Sequence, residues 1–93
     1  VPFNIASYAL LLSIIAKILS LKPKRFIHSF GDAHIYKNSI DQVKEQISRT
    51  PKQLPTLVIP ELNEFDDLKS CSIDDFILEG YDPHPPIKAK MAV

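Results

Sequence analysis

At 93 residues, with 45% hydrophobic and 24% charged side chains, the chain has room for one small domain or one piece of a larger fold. A chain of this size buries roughly 60–65% of its unfolded surface. Eleven basic and eleven acidic side chains cancel, which removes net charge as a reason to bind nucleic acid. The single cysteine, Cys71, excludes an internal disulfide and fits a reducing, intracellular compartment.

The chain opens VPFNIASYALLLSIIAKILSL. Residues 3–20 predict a helix, because Pro2 suits a first turn, Ala, Leu and Ile dominate, and glycine is absent. The apolar run from Ile5 to Leu21 approaches the lower length limit of a membrane span, but Asn4, Ser7, Ser13 and Lys17 break it up. Neither a basic leader nor a small-residue cleavage site marks a signal peptide. A buried helix is expected instead. At 100° per residue, Ser13, Lys17 and Ser20 share one stripe, expected to be the wet edge. Asn4 and Ser7 share a roughly opposite stripe, facing the interior or a cleft. Capping the helix or bonding a neighbouring backbone is the plainer role for Asn4.

Residues 25–36, RFIHSFGDAHIY, predict a strand. Ile27, Ser29, Ala33 and Ile35 take one face, and Phe26, His28, Phe30, Asp32, His34 and Tyr36 take the other. Gly31 marks a bulge or a close backbone approach, and in either case His34 and Tyr36 stay on the same face. Residues 39–49 predict a short amphipathic helix with a Ser39–Gln42 capping box, an apolar stripe of Ile40, Val43 and Ile47, and a Glu45–Arg49 pair. Pro51 ends it. TLVI, 56–59, predicts a strand between Pro55 and Pro60. Residues 61–72 predict an acidic loop, Asp74 and Asp75 a short turn, and FILEGY, 76–81, a further strand. The tail PHPPIKAKMAV, 83–93, predicts an extended, irregular segment.

Several chemistries drop out. His28, His34, His84 and Cys71 show no CxxC or HExxH spacing, and on one strand His28 and His34 lie about 20 Å apart, so no metal site is expected. No serine sits in a G-x-S-x-G elbow. Two glycines cannot build a glycine-rich phosphate loop. A recognition surface remains. Asn4 offers a planar amide, one acceptor and two donors, suited to a heterocycle that shows a donor beside an acceptor. His34 and Tyr36 suit a sugar hydroxyl. These parts fit a nucleotide or a similar polar ligand.

VPFNIASYALL at 1–11, FIHSFGDAHIY at 26–36, EGYDPHPPIK at 79–88 and MAV at 91–93 resemble thymidylate synthase, in that family's order and spacing. The resemblance covers essentially the whole chain and corresponds to the C-terminal third of the family's. It implies an α+β fold, here the C-terminal part of the thymidylate synthase fold, with a long buried helix, a mixed β-sheet and short helices. Residues 1–93 would be one segment of a single domain, with 83–93 a lid tail. The complete protein would be a cytosolic or nuclear homodimer that engages neither DNA nor membrane. Its reaction would be the reductive methylation of dUMP to dTMP, with 5,10-methylenetetrahydrofolate as one-carbon donor and reductant and no metal. A cysteine thiolate would attack C6 of the uracil.

The resemblance also implies roles. Asn4 matches the asparagine that pairs with uracil O4 and N3–H. His34 and Tyr36 match the pair that holds the deoxyribose 3'-hydroxyl. Phe3 matches an aromatic lining the folate site, and Ala92 and Val93 match the tail that closes over folate. Ser7 and Asp32 match supporting positions. The family's catalytic cysteine lies upstream in a Pro-Cys segment, and nothing here matches it. The phosphate-holding arginines and the folate-contacting aspartate are likewise absent, and Ser13 stands where a histidine is common. These 93 residues are therefore expected to hold no catalytic residue and to be inactive alone. The rival readings are an inactive fragment or non-enzymatic interaction piece, and a dCMP hydroxymethylase-type relative, against which Asn4 argues. Fusion to dihydrofolate reductase at the N-terminal side stays open.

Overall fold

The computed structural model describes residues 1–91, so Ala92 and Val93, assigned to the folate tail, lie outside the described residues. Helix α1 spans Pro2–Ile18 and helix α2 Ile40–Ser48; strands β1 and β2 span Thr56–Val58 and Ile77–Glu79. Short 3-10 turns cover Lys37–Ser39, Phe65–Ser70 and Ile73–Asp75.

Pro2 enters α1 where its missing N–H has no helical partner to lose. Val1 is the N-cap residue, and its carbonyl accepts from the Ile5 N–H at 3.1 Å. Asn4 is thus inside the first turn and does not cap the helix. At the other end the Leu21 N–H donates to the Ala16 carbonyl (2.8 Å) and the Ser20 N–H to that of Lys17 (3.2 Å). Ser20 turns the chain with φ 55°, closing the helix as a Schellman motif.

The expected burial of α1 is not found among the described residues. Only Ala16 and Ile18 are buried on it, and Phe3 is 84% exposed. The remaining described elements cover its C-terminal half alone. The wet stripe is also corrected. Ser13 and Lys17 are half-buried and line a hollow with Pro23, Leu57 and Ile59. Ser13 does not need water there, because its hydroxyl donates to the Ala9 carbonyl at 2.9 Å. Lys17 lays its stem along the apolar wall and its ammonium 3.7 Å from Glu61.

Residues 25–36 form no strand in the described structure. A strand needs a ladder partner, and the single sheet pairs β1 with β2. The side-chain alternation survives without the ladder: His28 stacks on Phe30 with ring centroids 4.3 Å apart. Helix α2 begins after the 3-10 turn, which leaves Ser39 at φ −119°, ψ 6° rather than extended. The Ser39 side chain therefore makes no cap bond, the capping box with Gln42 is not formed, and Gln42 reaches the Lys88 carbonyl at 3.4 Å instead. The Glu45–Arg49 pair forms at 3.0 Å.

β1 and β2 pair antiparallel, with Thr56 opposite Glu79, Leu57 opposite Leu78 and Val58 opposite Ile77. Helices plus this two-stranded sheet fit an α+β class, though the described residues hold an antiparallel pair where a mixed sheet was expected. The acidic stretch is more ordered than a loop. Asp67 accepts from the N–H groups of Asn63 (2.8 Å) and Glu64 (3.1 Å), which holds its carboxyl below the usual aspartate range. Asp75 likewise accepts from the Ser72 N–H at 2.7 Å, while the Ser72 hydroxyl accepts from the Asp74 N–H at 3.3 Å. These carboxylates are caps of 3-10 turns. Among the described residues, no helix is long and apolar enough to cross a membrane.

Candidate functional site

Helix α1 sets the first group of candidate residues. Phe3, Asn4 and Ser7 occupy its first two turns and are exposed. A first turn is where backbone N–H groups lack intrahelical acceptors, so the carboxamide of Asn4 sits on a polar, donor-rich helix end. Nothing in the short first turn crowds it.

The second group lies along residues 31–36. The chain bends at Gly31 and Asp32. A Cβ built on Gly31 would meet nothing within 4 Å, so neither a bulge nor a close approach accounts for this glycine among the described residues. Beyond the bend, the Asp32 carboxylate lies 3.7 Å from His34 Nδ1. The His34 ring in turn meets Tyr36 edge-on, with centroids 5.1 Å apart and planes at 77°. Asp32, His34 and Tyr36 therefore form one continuous row, the same-face arrangement that alternation predicted. The carboxylate and the imidazole are more than half exposed, so their attraction orients the ring more than it stabilises the fold. The edge-to-face pair fixes both rings with the aromatic quadrupole in its preferred sense.

No ring contact or ion pair joins this row to the first turn of α1 among the described residues. An apolar hollow lies elsewhere in the chain. It measures about 440 Å³ and lies between α1 and the hairpin, lined by Ala6, Ala9, Leu10, Leu57, Phe76 and Leu78 among others. Those side chains offer no titratable group, so the hollow is a packing gap, not a chemical site.

Cys71 is half-buried, and its thiol reaches the Asp67 carbonyl at 3.4 Å. Among the described residues, no group of three or more His, Cys, Asp or Glu side chains could hold a metal ion. The described residues thus present hydrogen-bonding and aromatic recognition groups in two places, the first turns of α1 and the row 32–36. Two further contacts went unread in the sequence. Arg49 Nη1 donates to the Pro85 carbonyl at 2.7 Å, and His84 Nε2 lies 2.8 Å from the Thr50 carbonyl. Both contacts cross more than 30 residues, and no local pattern signals them.

A sequence model of the family described as thymidylate synthase matches residues 1–93. A protein of Escherichia phage T5 described as "Probable thymidylate synthase" is 55% identical over 93 residues, covering 98% of this chain and 33% of that protein. The chain spans about a third of the length of the curated relative it matches.

Proposed function

Since this chain belongs to the thymidylate synthase family, we propose that it forms the nucleotide- and folate-recognising part of an enzyme that converts dUMP to dTMP. The observation that carries this reading is the row Asp32–His34–Tyr36. It sets an imidazole beside a phenol ring, centroids 5.1 Å apart, on one exposed side, which supports a shared grip on a sugar hydroxyl.

Asn4 accepts a hydrogen bond from uracil N3–H and donates to O4. Cytosine offers the reverse pattern, so the carboxamide selects uracil. His34 and Tyr36 hold the deoxyribose 3'-hydroxyl, with Asp32 orienting the imidazole. Phe3 gives the folate an apolar wall, Ser7 supports the nucleotide pocket from the next turn, and the tail from 83 onward closes over both ligands and excludes water. Ala92 and Val93 end that tail. 5,10-Methylenetetrahydrofolate supplies the one-carbon unit and the reducing equivalents. The thiolate that attacks C6 comes from outside these 93 residues, because nothing in them matches the family's Pro-Cys segment. The complete enzyme works as a homodimer, and the segment alone is inactive.

The test is dTMP formation from dUMP and 5,10-methylenetetrahydrofolate by the protein as its gene encodes it, beside the 93-residue segment. Turnover by the first and none by the second is expected. Absence of dTMP from the gene-encoded protein would overturn the reading. Turnover by the segment alone would overturn the division of labour within it.

A further inference from the structure

Segment 82–88 has no secondary structure of its own, yet it is held at four points by residues 42–52. Arg49 Nη1 donates to the Pro85 carbonyl (2.7 Å), His84 Nε2 pairs with the Thr50 carbonyl (2.8 Å), Gln42 Nε2 donates to the Lys88 carbonyl (3.4 Å) and Lys52 pairs with Asp82 (3.2 Å). Facing a carbonyl, His84 Nε2 must carry the hydrogen. Prolines at 83, 85 and 86 have no N–H, so carbonyls are the main backbone handles that the segment offers.

Arg49 is the strongest of the four. It is the first residue past α2, where the backbone turns extended at φ −76°, ψ 140° and sends the side chain across to the tail. Its side chain is 22% exposed, against 40% for Lys52. One edge of its guanidinium is fixed by Glu45 at 3.0 Å, which leaves Nη1 aimed at Pro85. A charged donor to a carbonyl makes one of the stronger hydrogen bonds, and a planar fork can satisfy a carboxylate and a carbonyl together. A lysine ammonium has no such fixed geometry.

We infer that α2 is the anchor of the C-terminal segment and that Arg49, set by Glu45, is the positioning residue that fixes where the folate-closing tail begins. The inference deepens the proposed function and rests on it for its catalytic consequence. The tether itself does not depend on activity. The Arg49 guanidinium is engaged by Glu45 and the Pro85 carbonyl, so its loss should act on folate through the tail and leave the nucleotide row alone.

Two measurements on the gene-encoded protein test this. Arg49→Ala is expected to raise KM for 5,10-methylenetetrahydrofolate about tenfold and to lower kcat, with the dUMP Kd within about twofold of wild type. Arg49→Lys should fall between the two. Glu45→Gln, a milder change that leaves the guanidinium in place, should shift folate KM in the same direction by a smaller factor. Separately, cleavage by a lysine-specific protease after Lys88, followed by mass, should be about tenfold faster in Arg49→Ala. An unchanged cleavage rate would overturn the anchor. A folate KM within twofold of wild type, or a dUMP Kd rising in step with it, would overturn the positioning role. If the gene-encoded protein forms no dTMP, the functional reading falls, and the cleavage rate alone decides the tether.

Discussion

Asn4 carries its information in two atoms. Its amide oxygen accepts and its amide nitrogen donates, and its place in the exposed first turn of α1 leaves both open to a base. Asn4→Asp in the gene-encoded protein turns the donor into a second acceptor, which suits the amino group of cytosine. Mismatched buried polar partners cost about 1–3 kcal/mol each, so the ratio of kcat/KM for dUMP over dCMP should fall by roughly 5- to 150-fold. An unchanged ratio would remove Asn4 from base selection. At this scale the sequence was legible where neighbours two apart decide the geometry: His34 and Tyr36 share a row as alternation requires. It was illegible where a distant partner decides. Asn4 invited reading as a cap, yet the helix starts one turn earlier because Pro2 is already placed for it. Ser13 read as wet because a hydroxyl suggests water, whereas the Ala9 carbonyl satisfies it within the helix.

Among the elements, those defined by their own residues came through and those needing a partner did not. α1, α2, β1 and β2 follow from periodicity, proline boundaries and β-branched runs. The segment 25–36 has strand chemistry but no ladder, since the one sheet among the described residues pairs β1 with β2. The acidic stretch shows a subtler case. Its charges read as a solvated surface, yet Asp67 and Asp75 close 3-10 turns on backbone N–H groups. Asp67 titrates below its usual range because those N–H groups favour its charged form. Its folded pKa lies below the unfolded one, so the stabilisation is full above about pH 4 and is lost as pH falls through the folded value. Asp67→Asn should therefore lower the urea midpoint of the gene-encoded protein at pH 7. The gap to wild type should narrow as pH falls below about 4 and the native carboxyl is in turn protonated. A gap that stays constant across this range would show that the carboxylate charge is not what holds the turn.

For the molecule as a whole, surface area decides. The chain exposes 8501 Å², against about 5,400 Å² expected for a self-contained monomer of its mass. Its radius of gyration is 16.7 Å, against about 12 Å for a compact domain of this length. Only Ala16, Ile18 and Leu62 are buried apolar residues among those described. The excess includes apolar surface that the described residues leave uncovered, in a chain that spans about a third of its relative. The 93-residue segment prepared alone should bind a hydrophobic dye such as ANS strongly and self-associate, through exposed Phe3, Tyr8 and Leu11 on α1. The gene-encoded protein should bind the dye weakly and stop at a dimer. A dye-negative, monomeric segment would mean that α1 finds its cover within these residues.

The bonds from Gln42 and Arg49 to the tail end on carbonyls, at Lys88 and Pro85. Every amino acid brings the same carbonyl, so a change of side chain at 88 leaves its bond available. A change at 49 abolishes the bond from that side. Heritable variation therefore meets unequal resistance on the two sides of one contact. The tail is free to drift in its letters at 88 while keeping its path, and the burden of preserving that path falls on the helix.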